Sequence, residues 1–410
     1  MNLTCSAKEL EKQIINWRRE LHQCPELGLD TPVTAAYLSQ RLTEMGIEHR
    51  MKVGVSGIVG IIRGNGGNPC ADKVGRQKTI GLRSDMDGLA IIEETGLAFA
   101  ATNGNMHACG HDAHMAMLLG AAKILQDHRE RFKGSVKLIF QPAEEGPGGA
   151  RLMISEGALE NPDVDAILGL HIGIISKEVD TGQVGIHYGN MMASLDDFKI
   201  RVIGKGCHGA MPDTGVDPIV MSAQVVNALQ TIVSREVRPT HSAVVSIGVI
   251  RGGRAFNIIP DEVEMIGTVR AIRSDVREMI AARIKEIVAG ITGAMGGSYE
   301  YHYTMGYPPL VNDARFTREF KKTAERIAGA ENVVEMSEPS MGGEDMAHYL
   351  EKVPGTYFLL GSNNPAKNII HPHHSSKFDV DEDVLYLGSA LLAQGAFDWL
   401  KKEASVNMTE

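Results

Sequence analysis

The sequence predicts an α/β protein of two domains, in which a mostly parallel sheet flanked by helices is interrupted by a second, ferredoxin-like domain. In the first half of the chain, short apolar runs alternate with segments of helical periodicity, an order typical of a parallel sheet. From about Ser194 the order becomes strand, helix, strand, strand, helix, strand, which is typical of a ferredoxin-like unit. The 410 residues exceed what one hydrophobic core usually covers, so two domains are expected.

The first domain begins with apolar residues at helical spacing over residues 7–45, and this pattern ends at Gly46. Bounded apolar runs then predict strands, with a predicted helix from His114 to Leu125 among them. The predicted strands cover residues 57–62, 79–83, 136–140 and 166–170. The segment 64–77 is rich in glycine and charge, which predicts a mobile connection.

The inserted domain is predicted over residues 187–305, and the chain then returns to the first domain. Patterns after residue 305 predict helices at 316–328 and 344–350 and a strand at 356–360. Within the insert, strands are predicted at 198–203, 243–250, 262–270 and 298–303, and helices at 218–233 and 274–291. We therefore expect residues 1–186 and 306–410 to form one domain around the insert.

Charge and cysteine usage narrow the class of function. The net charge of −10, with both signs scattered, argues against binding nucleic acid or an anionic membrane and favours a small-molecule or peptide substrate. No basic region followed by an apolar run starts the chain, and no apolar stretch of about 18 residues occurs, so we expect a cytoplasmic protein. Five widely spaced cysteines without a CxxC pair argue against a disulfide framework and leave room for a thiolate ligand.

The segment MHACGHDAH, residues 106–114, is the most informative motif. Cys109 and His111 would point to nearly opposite sides of a helix, so they can share a metal only on a turn, which Gly110 permits. Asp112 could then cap the helix that begins at Ala113. A thiolate and an imidazole at such a turn suit zinc or another transition metal. The alternative is a small buried Cys109 among histidines that satisfy hydrogen bonds.

Further metal-competent groups follow predicted strands. The strand at 136–140 leads into Glu144 and Glu145, another ends at His171, and a third closes at Asp85. Ligands bind at the carboxyl ends of strands in open α/β sheets, and one of two adjacent carboxylates can bind metal while the other acts as a base. A cluster of three histidines, His371, His373 and His374, lies near the C-terminus. Together these groups predict a metal centre, although each alone also fits a structural histidine or a solvated acid.

A dinucleotide-binding site is the competing interpretation. Residues 204–209, GKGCHG, match the GxGxxG fingerprint after a predicted strand. The following residues, 210–213, do not open a helix, and no acidic residue stands about 20 positions on after a second strand. Both observations argue against a dinucleotide-binding site. The sequence also lacks GxxxxGK[ST], GxSxG and HExxH, which argues against a phosphate-binding loop, a serine esterase and a helix-borne zinc protease, respectively.

The motifs together resemble the M20 metallopeptidase family, in its amidohydrolase branch, over nearly the whole chain. That branch includes N-acyl-amino-acid amidohydrolases, hippurate hydrolases and indoleacetyl-amino-acid hydrolases. The resemblance implies a catalytic metal-binding domain at 1–186 and 306–410 and a lid or dimerisation domain at 187–305. We also expect a homodimer built through the inserted domain, because His208 lies far along the chain from the candidate ligands and must be brought to them. The motifs occur in the family's order: MHACGHDAH, FQPAEEGPGGA, GLHIG, GKGCHGAMP, GGRAFNIIPDEV with GTVR, MGGEDMAHYL and HHSSKFDVDE.

The resemblance also implies the roles of individual residues. Glu144 corresponds to the general base, His208 to a histidine that stabilises the oxyanion, often in the partner subunit, and Asn257 to a contact with the substrate's carboxylate. Two divalent metal ions per subunit (Zn, Mn, Co or Ni) are implied. Their ligands would be Cys109 in the bridging place, His111, Glu145, His171 and His374.

The chain departs from other branches of the family at two places. Asp85 stands where those branches have a ligand histidine, so the resemblance does not carry the ligand role over to it. Asp87 corresponds to a residue that supports the ligands without binding metal. Residues 303–308, YTMGYP, contain no arginine just before Gly306, so Arg270 and Asn257 are the candidates for holding the substrate carboxylate.

The expected function is hydrolysis of the amide bond of an N-acyl amino acid by metal-activated water, with a glutamate as general base. Acetyl, benzoyl, indoleacetyl and aminobenzoyl-glutamate conjugates all fit the sequence. The alternatives are a dipeptidase or carboxypeptidase of the same family and a non-catalytic binding protein on this scaffold.

Overall fold

A computed structural model describes residues 2–65 and 77–401. Its helices are α1 Thr4–Glu9, α2 Glu11–His22, α3 Pro32–Glu44, α4 His111–Asp127, α5 Gly149–Ser155, α6 Pro218–Thr231, α7 Ser274–Ala294, α8 Ala314–Ala328, α9 Ala347–Leu350 and α10 Leu385–Lys401. Its strands are β1 Glu48–Val53, β2 Gly57–Arg63, β3 Thr79–Asp85, β4 Ser135–Gln141, β5 Ala166–Gly173, β6 Val184–Ile186, β7 Gly189–Met192, β8 Leu195–Ile203, β9 Cys207–His208, β10 Ala243–Gly252, β11 Ile258–Ile259, β12 Glu262–Ala271, β13 Ser298–Tyr307, β14 Leu310–Asn312, β15 Val333–Glu335 and β16 Gly355–Gly361. Most of the predicted mobile connection, residues 66–76, lies outside the described residues.

The chain divides into two compact units. The first comprises Met1–Gly189, Val311–Glu338 and His348–Glu410, and the second comprises Asn190–Leu310 and Pro339–Ala347. The segment Pro339–Ala347, which the sequence places in the first domain, joins the second unit through backbone hydrogen bonds. The Ala193 N–H donates to the carbonyls of Ser340 and Gly342, and the Ser340 N–H donates to the Met191 carbonyl. Long-range bonds of this kind leave no periodic pattern in the sequence.

The first unit contains a sheet in the order β1-β2-β4-β3-β5-β16-β6-β15. Its four central strands, β4, β3, β5 and β16, run parallel to one another, so the predicted α/β class is confirmed. These strands are buried along their whole length, as expected when helices cover both faces of a parallel sheet. Because parallel strands end at the same edge, Asp85, Gln141 and His171 lie along that edge of the sheet.

The second unit contains an antiparallel sheet in the order β10-β12-β8-β13. Its apolar core includes inward-facing residues of the sheet and buried residues of α6 and α7. Burial alternates along β8 and β12, because one face of this sheet packs and the other does not. Chain order and strand order together are those of a ferredoxin-like unit, as predicted.

Some elements differ from the sequence prediction. The helix expected at 344–350 is limited to α9, Ala347–Leu350. The strand β1 was not predicted, because its exposed edge position carries mostly polar side chains without a clear alternation. Among the described residues, no helix combines the length and the apolar character needed to cross a membrane.

Candidate metal centre

The turn that presents Cys109 and His111 is built on Gly110. This glycine is the N-cap residue of α4, with φ 85° and ψ 15°, so Cys109 precedes the helix and His111 begins it. A Cβ atom at Gly110 would lie 2.8 Å from Ile172 Cγ2, which is too close for ordinary packing. Glycine is therefore required both for the left-handed backbone and for the approach to β5. The prediction that Asp112 caps this helix is wrong, because α4 already begins at His111 and has no side-chain cap.

Replacement of Gly110 by alanine is expected to destabilise the protein more than the same change at Gly104. Gly104 has nearly the same φ, 88°, but its Cβ position has open space around it. Gly104→Ala should lower the free energy of unfolding by about 1–2 kcal/mol, because of the left-handed backbone alone. Gly110→Ala should cost roughly 1–3 kcal/mol more, because Ile172 must move. Thermal unfolding of the metal-free proteins measures both, and equal melting temperatures would contradict the role assigned to the contact.

Five side chains converge at the edge of the sheet in two groups that share Cys109. One group is Cys109, His111 and His171, and the other is Cys109, Glu145 and His374, with the donor atoms of each group within 4.8 Å of one another. The Cys109 Sγ lies 3.5 Å from His171 Nε2, and Glu145 Oε1 lies 3.2 Å from His374 Nε2. These are the five ligands that the resemblance implied. Two groups with one shared donor can hold a pair of neighbouring cations.

The buried imidazoles are oriented for binding through Nε2. His111 Nδ1 donates to the Asp87 carbonyl at 2.8 Å, and His171 Nδ1 donates to the Ile172 carbonyl at 2.8 Å. A carbonyl that accepts from Nδ1 sets the tautomer whose Nε2 carries a free lone pair. Buried His111 Nε2 has no hydrogen-bond partner among the described residues. A metal ion would satisfy this buried nitrogen.

The electrostatics of the site also favour a cation. Burial disfavours a charged His111, but Asp85, Asp87 and Glu145 outweigh burial and raise the pKa of His111 to about 10. Burial raises the pKa of the Cys109 thiol well above its ordinary value, and the neighbouring carboxylates Glu145 and Glu144 raise it further. A metal ion reverses this effect, because a coordinated thiol is deprotonated. The donor set, of thiolate, imidazole and carboxylate, therefore fits divalent transition metals.

Asp87 holds the loop that carries the two glutamates. Its carboxylate accepts from the backbone N–H groups of Glu144 and Glu145, at 2.9 and 3.2 Å, while its carbonyl orients His111. Ala143, just before this pair, has a left-handed φ of 60°, a conformation that costs energy for a residue with a side chain. Asp87 thus links the orientation of His111, a candidate ligand, to the position of both carboxylates.

Asp85 is surrounded by cationic and hydrogen-bonding partners. Its fully buried carboxylate accepts from Arg83 at 2.9 Å and from His114 Nδ1 at 2.6 Å. Burial alone would raise the pKa of Asp85, but His111, His114 and Arg83 hold it well below its usual range. His114 Nε2 in turn accepts from the Ile172 N–H at 2.9 Å. We therefore propose that Asp85 supports the site as a hydrogen-bond acceptor and is not a ligand.

Sequence reasoning did not assign roles to Arg83, His114 or Gln141. Arg83 lies in a buried strand and also donates to Gln141 Oε1 at 3.0 Å. The available signal was a charged residue inside an apolar run, IGLRSD, since a buried arginine requires partners. The identity of those partners depends on the neighbouring strand and helix, which the run itself does not specify.

His208, Asn257 and Arg270 lie in the second unit. His208 is exposed on β9, where its Nδ1 accepts from the Ala210 N–H at 3.0 Å. The Gly209 N–H donates to the Asn257 carbonyl at 2.8 Å, so His208 and Asn257 are neighbours.

Arg270 stands apart from this pair. Asn257 precedes β12, which begins at Glu262, whereas Arg270 lies near the end of this strand. At about 3.3 Å per residue, Glu262 and Arg270 are separated by roughly 26 Å along the strand. Its guanidinium donates to the carbonyls of Val269 and Asp196, at 3.1 and 3.5 Å. Within one chain, Asn257 and Arg270 therefore cannot hold the same carboxylate.

Comparison with known proteins shows the family. Residues 81–397 match the model of peptidase family M20/M25/M40. The chain is 42% identical over 394 residues to Thermostable carboxypeptidase 1 of Saccharolobus solfataricus, covering 94% of this chain and 96% of the relative. It is 39% identical over 388 residues to the N-acetyl-L-cysteine deacetylase of Bacillus subtilis, covering 94% and 88% of the two chains. The crystal structure of a dinuclear metal binding peptidase of the M20 family from Bacillus subtilis superposes with a TM-score of 0.82 at 33% identity, covering 97% of this chain and 99% of that one. The chain therefore belongs to peptidase family M20/M25/M40 and is a hydrolase that cleaves amide bonds.

Proposed function

We propose that this protein hydrolyses the amide bond of N-acyl amino acids at a centre of two divalent metal ions. The observation that carries the proposal is the convergence of Cys109, His111, Glu145, His171 and His374 in two groups that share the thiol. A donor oxygen of Glu144 lies within 4.8 Å of donor atoms of His111 and Glu145, so a candidate base stands beside the ligands. The similarity to an N-acetyl-L-cysteine deacetylase supports an acylated amino acid as substrate.

Each residue of the proposed site has its own role in the reaction. Divalent ions, when bound, supply Lewis acidity that lowers the pKa of water to about 7 and polarises the scissile carbonyl. Glu144 takes the proton of the attacking water and passes it to the leaving amine, which must be protonated to depart. Asp87 keeps Glu144 in place through the backbone hydrogen bond described above. The exposed His208 is proposed to stabilise the oxyanion.

The metal is proposed to be Zn, Mn, Co or Ni. Thiolate and imidazole ligands suit zinc, cobalt and nickel, whereas carboxylate ligands also suit manganese. This mixed set selects a group of metals rather than one of them.

We also propose that the protein is a homodimer formed through the second unit. Large apolar side chains are exposed around the β9–β11 pair, among them Phe256, Ile258 at 57% and Met211 at 56%. Strand β10 is an edge of its sheet, and unpaired edges favour pairing with another chain. Such exposed apolar side chains mark interaction surfaces when they cluster.

The dimer is tested by sedimentation. The wild type should sediment as a species of about twice the 44.4 kDa chain mass. A Phe256→Asp, Ile258→Asp double variant should sediment as a monomer, because charge in an apolar interface costs several kcal/mol. Ile92→Asp changes an exposed apolar residue of the first unit and serves as control. A wild-type monomer with full activity would contradict the proposal.

The proposed reaction is tested by amine release from a panel of N-acetyl, N-benzoyl, N-indoleacetyl and N-aminobenzoyl amino acids. Protein reloaded with Mn, Zn, Co or Ni is compared with a chelated control, and release should vanish on chelation and return with metal. Cleavage of dipeptides or of C-terminal residues alone would favour the dipeptidase or carboxypeptidase alternative, to which the similarity with a carboxypeptidase points. Two bound ions without any cleavage would favour a binding protein.

A further inference from the structure

A buried arginine outside the metal-binding motifs connects two of the segments that carry ligands. Arg18 of α2 is 1% exposed, and its guanidinium contacts three carboxylates. Its Nε donates to Asp112 Oδ2 at 2.8 Å, its Nη2 to Asp379 Oδ1 at 2.8 Å, and its Nη1 to Glu382 Oε1 at 3.2 Å. A buried guanidinium is stable only when it is paired in this way.

Each of the two closer carboxylates belongs to a ligand-bearing segment. Asp112 follows His111 in the first turn of α4, and it also accepts from His22 Nδ1 at 2.7 Å. Asp379 lies five residues beyond His374 and is flanked by the buried residues Phe378 and Val380. The ring of Phe378 packs on that of His373, at a centroid distance of 4.8 Å. Arg18 therefore bridges the segment of Cys109 and His111 to the segment of His374.

The two segments also meet directly, at one backbone contact. The His374 N–H donates to the Ala108 carbonyl at 2.8 Å. His374 itself has a left-handed φ of 65°, and its side chain is 53% exposed. The other imidazole ligands, His111 and His171, are buried and held through Nδ1. Among the three imidazole ligands, His374 thus depends most on support from its own segment.

The guanidinium is suited to setting a distance. It is planar and rigid, and it presents its N–H groups in fixed directions, which a flexible ammonium does not. Its bonds to Asp112 and Asp379 through different nitrogens constrain the separation of these two carboxylates. Metal binding requires ligand distances within about 0.2 Å of ideal values, so such a constraint affects affinity.

We propose that Arg18 is a positioning residue that sets the spacing between Cys109 and His374, and thereby the affinity for the ion of the Cys109–Glu145–His374 group. This inference rests on the ligand set of the proposed function. It predicts a selective effect: loss of the Arg18–Asp379 link should weaken one of two ions. The Cys109–His111–His171 group does not include the His374 segment and should retain its ion.

The test is a Co²⁺ titration of the metal-free full-length protein, followed by absorbance and chelator competition. Asp379→Ala removes the link to the His374 segment, and Arg18→Lys keeps the charge but not the planar geometry. Asp383→Ala and Arg19→Lys are the matched controls. Asp383 is 73% exposed and pairs with Lys367, and Arg19 is 46% exposed and contacts Glu382 but neither Asp112 nor Asp379.

Wild type and controls should bind two ions with the same pair of dissociation constants. In Asp379→Ala and Arg18→Lys, one ion should bind about 10- to 100-fold more weakly, the usual range for outer residues that orient ligands, while the other changes little. Wild-type affinities in both variants would overturn the proposal. Equal weakening of both ions together with a lower melting temperature of the metal-free protein would also overturn it, since it indicates a general structural role.

The wild-type titration separates this proposal from the ligand set on which it rests. Uptake of fewer than two ions by the wild type would overturn the ligand set itself, and this proposal with it. Uptake of two ions by the wild type and by both variants, with unchanged affinities, would overturn the role of Arg18 alone.

Discussion

Replacement of Glu144 by glutamine is expected to lower turnover by at least about 100-fold, the low end of the contribution of a general base, with both metal ions still bound. Glu144 is 7% exposed, and its backbone N–H is held by Asp87. Glutamine has nearly the same shape and keeps this backbone contact, but its amide cannot accept the proton of water at neutral pH. The change thus removes the basic oxygen and leaves the ligands in place.

The measurement compares kcat on an N-acyl amino acid with the metal content of the same sample. Glu145→Gln is the informative contrast, because Glu145 belongs to a ligand group and its replacement should lower metal content as well as turnover. Near-normal turnover in Glu144→Gln would reject the base. A low turnover accompanied by loss of metal would indicate that Glu144 is a metal ligand and not the general base.

Replacement of Cys109 by alanine is expected to weaken the binding of both metal ions. Cys109 is the member shared by the two groups proposed to hold the ions, whereas each of the other four candidate ligands belongs to one of those two. Each affinity should fall by more than about 100-fold, the upper end for residues that only support ligands. Chelator competition measures both constants. Cys207→Ala, at a partly buried cysteine of the second unit, is the control. Retention of one tightly bound ion would show that Cys109 is not shared.

Thiol modification supplies an independent readout of the same ligand. In the metal-free protein, burial and nearby carboxylates raise the pKa of the Cys109 thiol well above its ordinary value, so little thiolate exists at neutral pH. Modification by a thiol reagent should accordingly be slow at neutral pH and accelerate as the pH rises. A bound metal should block it, while the exposed Cys5 reacts with or without metal. Equal modification of Cys109 in both forms would argue that it is not a ligand.

Much of the fold and of the candidate site could be predicted from local patterns. Apolar runs identified the central strands β3, β4, β5 and β16. Three of these runs lead into residues of the candidate site: β3 into Asp85, β4 into the loop of Glu144, and β5 into His171. Parallel strands end at one edge, so residues that follow them come together without any knowledge of packing. The Gly110 turn was predictable for a similar reason, because the spacing of Cys109 and His111 excludes a shared site on a helix.

The supporting residues were not predictable in this way. Asp112 was expected to cap a helix, but in the structure it binds Arg18 and His22, which lie about 90 residues earlier in the chain. The sequence assigns no role to Asp85, and only its contacts with Arg83 and His114 explain how its buried charge is balanced. Likewise, the sequence offers both Asn257 and Arg270 as contacts for the substrate carboxylate, whereas in the structure they lie at opposite ends of β12.

By itself, the sequence determined the fold class, the order of the central strands and of the main helices, the family and the set of candidate ligands. These properties depend on periodicity, turn preference and motif order, which act over a few residues at a time. Only the tertiary structure decided which carboxylates Arg18 and Arg83 neutralise, which carbonyls orient His111 and His171, and that Pro339–Ala347 joins the second unit. Buried charges and hydrogen-bonding groups take whichever partner folding brings within about 3 Å, and sequence separation carries no information about that distance.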